Sequence, residues 1–450
     1  MTATGQPRDL TTTAPLQEPH YPIVPGAISR LDADVPEASV SVLSETAVAA
    51  DALLGVEPTR PELIGSADGA IGRLLFTIPN YAVTTDGLDG VNPYAVVYRD
   101  LFEKLPAATE LVVLTHAAAS GEVGRWLDDA GLSERASVID TDDFLGFSIW
   151  AEDGYVAIRE AENEYASLVE PAYFPRYGDA LVADYVSSRS DLAKLQAPLY
   201  FQGGNVLVGD DFFFIGIDYP LNTLRRGIIR PAENEDPAAV LKELYRRFFD
   251  HRRAPGYVGA TVMVPIETSE PVEIDGQRWT EVKHAGNSPG TRQPLFHIDM
   301  FISLAGRAAD GRYRLLVGDP RAAAVLTGDA LQPHAMAAAF DNIAGQLARD
   351  FEVHRNPLPL VHVDYVADRQ RLWYFATSNN ALVHMPNDGP NVVLMPAYGH
   401  GPYERLRVTD ERNKEIWEGL GFEVRMLGDF HPFAANLGAV HCIKKYLARS

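Results

Sequence analysis

Residues 295 to 304 read Leu295-Phe296-His297-Ile298-Asp299-Met300-Phe301-Ile302-Ser303-Leu304. Alternation places Phe296, Ile298, Met300, Ile302 and Leu304 on one face of an expected strand, and His297, Asp299, Phe301 and Ser303 on the other. An imidazole and a carboxylate then project the same way, about 7 Å apart, so that both can touch one small ligand. Taken alone, the segment also suits an ordinary half-buried strand with a polar outer face.

Three other segments have the punctuation of strand-end sites. Phe147-Ser148-Ile149-Trp150-Ala151-Glu152-Asp153-Gly154-Tyr155 sets a carboxylate beside an aromatic and a glycine just before a strand, and by itself reads as an exposed acidic turn. Tyr200-Phe201-Gln202-Gly203-Gly204-Asn205-Val206-Leu207-Val208 brings paired glycines into a strand entry, the mark of a bulge or a close backbone contact. Near the chain end, Asn436-Leu437-Gly438-Ala439-Val440-His441-Cys442-Ile443-Lys444-Lys445 holds the single cysteine. A lone cysteine is commonly a small buried hydrophobe, yet a thiolate near histidine is also a strong nucleophile at neutral pH.

Around these segments, strand-like and helix-like stretches alternate. Leu74 to Ile78, Leu111 to Thr115, Ala136 to Ile139 and Tyr155 to Ile158 read as strands. Asn92-Pro93 supplies an N-cap and first-turn proline to a helix with Tyr94, Val97, Tyr98, Leu101 and Leu105 on one face. Asp236-Pro237 does the same for a helix with Val240, Leu241, Leu244 and Phe248 inward. Further helices are expected over 122–130, capped by Ser120, over 334–350, and over 411–419, stopped by Gly421. Residues 1–65 are rich in Thr, Ala, Pro and acids, and are expected to form a loosely held extension with one short helix around Val42 to Leu54. Residues 66–450 are expected to form a single α/β domain without short-period repeats. The stretches Val272 to Thr291 and Asn379 to Gly389 read as loops at the site's outer edge, with Asn379 or Asn380 as a near-site amide.

The composition narrows the partners. The 450 residues carry 39 Lys+Arg against 61 Asp+Glu, a formal charge of −22. Such a chain repels a phosphate backbone and anionic lipid, while a small cation is a fitting ligand. One cysteine excludes an intrachain disulfide and a zinc quartet of thiolates. The polar amino terminus and the short apolar runs predict neither a secretory leader nor a membrane span, and hence a cytoplasmic protein.

The order Trp-x-x-Asp, Gly-Gly-Asn, His-x-Asp and Gly-x-x-His-Cys resembles the guanidino-group-modifying enzymes of the pentein fold, most closely the catalytic domain of protein-arginine deiminases. The stretch Asn413-Lys414-Glu415-Ile416-Trp417-Glu418-Gly419-Leu420-Gly421-Phe422-Glu423-Val424, running through Asp429-Phe430 to the cysteine, is similar as well. The resemblance covers roughly 70–450 and implies an α/β propeller of five ββαβ-like modules around a polar channel. It implies that Asp153 and Asp299 hold the substrate guanidinium, that His297 is the general acid/base and that Cys442 is the nucleophile. Trp150, Gly204 and Asn205 are implied to border the substrate, and Asn380 is expected beside them from its place in the loop at the outer edge.

The implied activity is hydrolysis of the guanidino group of arginine or a derivative, including peptidyl-arginine, to a ureido product and ammonia. The same residues serve amidinotransferases, which pass the amidino group to an amine, and would also suit a non-catalytic guanidino-binding protein. No cofactor is implied. The calcium of animal protein-arginine deiminases is not expected, because Gly154 and Leu207 stand where those enzymes have acidic residues. Lys444 and Lys445, after the cysteine, are expected either in solvent or against a substrate carboxylate.

Overall fold

The computed structural model describes residues 57–450 apart from 86–89, 161–165, 265–268, 284–290 and 329–333. The short helix expected around Val42 to Leu54 lies outside the described residues.

Local sequence explains where the helices begin. Asn92 caps the helix Pro93–Lys104 by accepting a hydrogen bond from the Tyr94 N–H, and Asp236 caps Pro237–Phe248 by accepting from Ala238. In both, proline takes the first helical position, where its missing N–H leaves no bond unmade. The Tyr94, Val97, Tyr98, Leu101 and Leu105 stripe is buried, as are Leu241 and Phe248. One helix start departs from expectation. The helix Ala117–Asp129 begins directly after the strand Glu110–His116, so Ser120 lies inside its first turns instead of capping it. The helix Arg407–Gly419 ends before Gly421, whose φ of +89° permits the left-handed exit.

Five sheets share one pairing pattern: a first strand runs antiparallel to a second, and the second runs parallel to a third reached through helical turns. Val156–Arg159, Ala166–Glu170 and Ala193–Gln196 form one such unit. Val206–Val208, Phe212–Gly216 and Ala254–Val258 form the next. Ile302–Arg307, Tyr313–Asp319 and Glu352–Pro357 follow. Leu382–His384, Asn391–Ala397 and Phe422–Asp429 form the fourth. The fifth joins the ends of the described body: the C-terminal strand Lys444–Arg449 pairs antiparallel with Ile71–Ile78, which runs parallel to Glu110–His116. The repeat lies in the backbone pairing, so it leaves no periodic residue pattern in the chain.

A sixth sheet belongs to none of these units. It joins the hairpin Glu270–Ile274 and Gln277–Val282 to Gln370–Phe375 and Leu360–Tyr365. The stretch read as a loop over Val272 to Thr291 therefore includes most of a hairpin, and the one over Asn379 to Gly389 contains the strand Leu382–His384. On the outer edge of the Val156–Arg159 sheet, Glu62–Leu63 adds two paired residues.

The alternating segment 295–304 is not one strand. Ile298–Met300 forms a 3-10 turn and the strand begins only at Ile302. Every residue from Leu295 to Leu304 is buried. Polar and apolar side chains therefore do not separate to a wet and a dry face; the segment passes through the interior and both sides are covered. No helix among the described residues is long and apolar enough to cross a membrane.

Candidate active site

Asp153, Asn205, Asp299, Asn380 and Cys442 each sit one to three residues before the first strand of one of the five repeated units. The fold thus delivers one chemical group from the entry of each unit. Cys442 lies between Asp299 and Asn380: its Sγ is 3.6 Å from Asp299 Oδ2 and 3.1 Å from the Asn380 amide nitrogen. Asn380 Oδ1 accepts hydrogen bonds from the backbone N–H of Ala439, His441 and Cys442 at 3.1, 2.8 and 3.2 Å. One side chain therefore holds the backbone of the cysteine loop and donates to the sulfur. Glu152 N–H donates to the Cys442 carbonyl at 3.0 Å, tying the Trp150 turn to the same loop.

A small pocket is lined by Trp150, Asp153, Arg176, Phe296, His297, Asn436, Leu437 and Cys442. Asp153 presents Oδ1 3.7 Å from His297 Nδ1. His297 Nε2 lies 2.8 Å from Gln202 Oε1; an amide oxygen can only accept, so Nε2 carries the proton. In the neutral ring this leaves Nδ1, on the Asp153 side, as the basic nitrogen. Trp150 packs so tightly on Gly438 that a Cβ there would fall 2.2 Å from the indole ring. Leu437, in the pocket wall, has a left-handed φ of +72°, a conformation that costs a residue with a Cβ about 1 kcal/mol or more.

Two of the residues implied to border the substrate do other work. Asn205 Oδ1 accepts from the Ile298 N–H at 3.1 Å and from Gln293 Nε2 at 2.9 Å, fixing the turn that carries His297 and Asp299. Gly204 is a close-approach residue, since a Cβ would lie 2.6 Å from His297 Nδ1. Neither lines the pocket, and Asn380 and Asp299 do not line it either. Asp299 stands behind the cysteine, its Oδ2 2.9 Å from His441 Nδ1.

The acidic turn at Trp150 to Asp153 is buried, not exposed. Lys444 and Lys445 are also inside: their ammonium groups reach the two oxygens of Glu152 at 3.0 and 2.8 Å. They are neither solvated nor at the pocket wall. Sequence reading gave no role to Arg176, Gln202, His441 or Gln293. Gln202 adjoins the quoted Gly-Gly-Asn and His441 is the histidine of the quoted Gly-x-x-His-Cys, signals that were available; Arg176 is far from all of them in the chain.

Burial sets the charge states. The Cys442 thiol is pushed well above its usual range by burial and by the negative charges of Asp299 and Asp153, with the Asn380 amide pulling the other way. Burial holds His297 well below the usual histidine range, and the Arg176 charge adds to this. Asp299 is raised by burial, Glu152 and Asp153, and Asp153 is raised by burial against the pull of Arg176. Without a ligand, the arrangement is therefore a protonated thiol and a neutral imidazole beside carboxylates that lack a full complement of cations. A bound cation relieves the charge that disfavours the thiolate. Among the described residues no group of three or more His, Cys, Asp or Glu side chains is placed to hold a metal ion.

Comparison with solved structures matches this arrangement of elements over 87% of the chain. An agmatine deiminase from C. jejuni superposes with a TM-score of 0.53 at 12% identity, covering 87% of this chain and 96% of that one. The chain has the fold of the agmatine deiminases. The Enterococcus faecalis agmatine deiminase gives 0.53 at 14% identity with the same two coverages. A structural-genomics target described provisionally as an agmatine deiminase gives 0.57 at 14%, again covering 87% and 96%. No family model and no curated protein sequence matches the chain. Agmatine deiminases belong to the pentein superfamily of guanidino-modifying enzymes, in agreement with the ordered motifs; these neighbours do not bear on the finer likeness to protein-arginine deiminases.

Proposed function

We propose that this chain is a cysteine-dependent deiminase of a small guanidino compound, with Cys442 as nucleophile. The observation that carries the reading is the pocket itself, where a cysteine, a histidine and a buried carboxylate from different units of the fold face one small space. The agmatine deiminase fold supports the same chemistry and makes agmatine the first substrate to try, with arginine and peptidyl-arginine next. The five repeated sheets support a radial, propeller-like arrangement with the site at its hub.

A guanidinium is planar and permanently cationic, so Asp153, at the pocket wall, holds it by charge-assisted hydrogen bonds, while Asp299, behind the cysteine, contributes its charge from farther off. Its charge offsets theirs and lowers the cost of ionising Cys442. The thiol proton passes to His297, and the sulfur attacks the guanidino carbon. Protonated His297 returns the proton to the departing nitrogen; the C–N bond breaks and ammonia leaves. Neutral His297 next takes a proton from water, which attacks the amidino carbon of the thioether. As the C–S bond breaks, the ureido product leaves and the departing sulfur takes the proton back from His297, which regenerates the thiol and the neutral imidazole. Asn380 keeps the sulfur aimed through both halves.

Incubating the protein with agmatine, arginine and a blocked arginine ester, with and without glycine, tests the reading. Ammonia and ureido product without added amine are expected; turnover only with the amine would replace the deiminase by an amidinotransferase. Mass spectrometry of Cys442 during turnover should show the amidino adduct.

A further inference from the structure

Asp153 is already engaged by a guanidinium of the chain itself. Arg176, 5% exposed, donates from Nη2 to Asp153 Oδ2 at 2.8 Å and from Nε to Asp179 Oδ2. Asp179 is in turn fixed by the Ser148 N–H and hydroxyl, two residues before Trp150. The guanidinium lies 5.1 Å from the Phe174 ring. The turn that carries Arg176 packs backbone to backbone on its neighbour: a Cβ on Gly178 would fall 1.4 Å from the Gly146 carbonyl oxygen. A buried line of charge-assisted bonds therefore runs from Ser148 through Asp179 and Arg176 to Asp153. At its end Asp153 Oδ1 is buried and has no hydrogen-bond partner among the described residues.

We propose that Arg176 is a positioning residue for the guanidinium site: it occupies Oδ2 of Asp153, turns Oδ1 toward the pocket and balances the carboxylate's charge, so that an incoming guanidinium is met by one oxygen of Asp153. This rests on the guanidino reading above and refines it. An unpartnered, buried carboxylate oxygen is costly unless a ligand meets it, and a carboxylate free to rotate would offer either oxygen to either cation. The fork of Arg176, anchored at its other end by Asp179, removes that freedom.

The charged groups facing Asp153 determine the sign of the pH effect. Arg176 and Lys445 stabilise its anion, while burial opposes it. His297 lies beside Oδ1, and the Asp153 charge itself pushes up Asp299 and Cys442. Removing the Arg176 charge raises Asp153 further. The anion that binds the cation is then lost at a higher pH as the solution is acidified, and the acid limb moves up.

Alkylation of Cys442 reads this directly. In the wild type, 2-chloroacetamidine, a cation of guanidine shape, should outpace neutral 2-chloroacetamide, and the ratio of rates should fall on acidification. Arg176→Gln should cut that ratio about tenfold at neutral pH and move its acid limb up by about one unit or more, with the chloroacetamide rate little changed. Arg176→Lys restores the charge without the fork. Its acid limb should stay with the wild type, while the ratio falls several-fold. Should Arg176→Gln not fold, Arg176→Lys decides, and an unchanged ratio there overturns the proposal. An unshifted limb and ratio in Arg176→Gln, or an equal loss with both reagents, also overturns it. A wild type with no preference for the amidine would sink the guanidino reading itself, so the two failures are told apart.

Discussion

Cys442 and Asn380 form the smallest unit with chemical meaning. The sulfur is buried among carboxylates that oppose its ionisation, and the Asn380 amide is placed to counter them. Cys442→Ser should lower ureido formation by about a thousandfold or more while leaving ligand binding in place, because an alcohol in that setting does not ionise. Asn380→Ala removes the acceptor of three backbone N–H groups as well as the contact with sulfur. It should reduce kcat about a hundredfold and destabilise the protein by roughly 2 kcal/mol, seen in steady-state kinetics and urea unfolding. The residues proposed for the site could be picked out along the chain because each lies in a short, punctuated segment. The true neighbours could not: His441, beside the cysteine in the chain, reaches Asp299, whereas His297 points toward Asp153.

At the scale of elements, the strand entries do the positioning. The Trp150 to Asp153 turn, the Gly438 to Cys442 loop and the C-terminal strand are pinned together by Glu152, which takes both Lys444 and Lys445. Glu152→Gln leaves two buried ammonium groups short of a counter-charge and should cost about 3–5 kcal/mol in chemical denaturation. Gly438→Ala drives a methyl into the Trp150 ring and should cost about 1–3 kcal/mol, lowering the melting temperature and slowing alkylation of Cys442 together. Helix starts at Asn92-Pro93 and Asp236-Pro237 were legible because a cap acts within one turn. The segment at 295–304 was misleading for the opposite reason. Period-two patterning reports a contrast between core and solvent, and there the chain has core on both sides.

In the whole molecule, closure depends on the chain ends meeting. Lys444–Arg449 hydrogen-bonds along Ile71–Ile78, so the strand that follows Cys442 completes the unit that opens the described body. Deleting residues 446–450 should abolish the cooperative unfolding transition and the selective reactivity of Cys442 together, measured by circular dichroism and alkylation on one preparation. A surviving transition with normal alkylation would show that this closure is dispensable. The net charge of −22 also operates at this scale: it favours the approach of cations, and added salt should raise KM for a cationic guanidine more than it changes kcat.

The α/β alternation, the helix caps and the ordered set of Trp150, Asp153, Gly204, Asn205, His297, Asp299 and Cys442 follow from the chain read along its length, since each depends on neighbours within a few residues. The pairing of Arg176 with Asp153, the burial of Lys444 and Lys445 on Glu152, and the diversion of Asn205 from the pocket to the backbone are decisions of the folded molecule. They bring together groups from separate strand entries, and in a dry interior every charge and amide takes whichever partner the packing brings within reach. Sequence spacing holds no record of that choice.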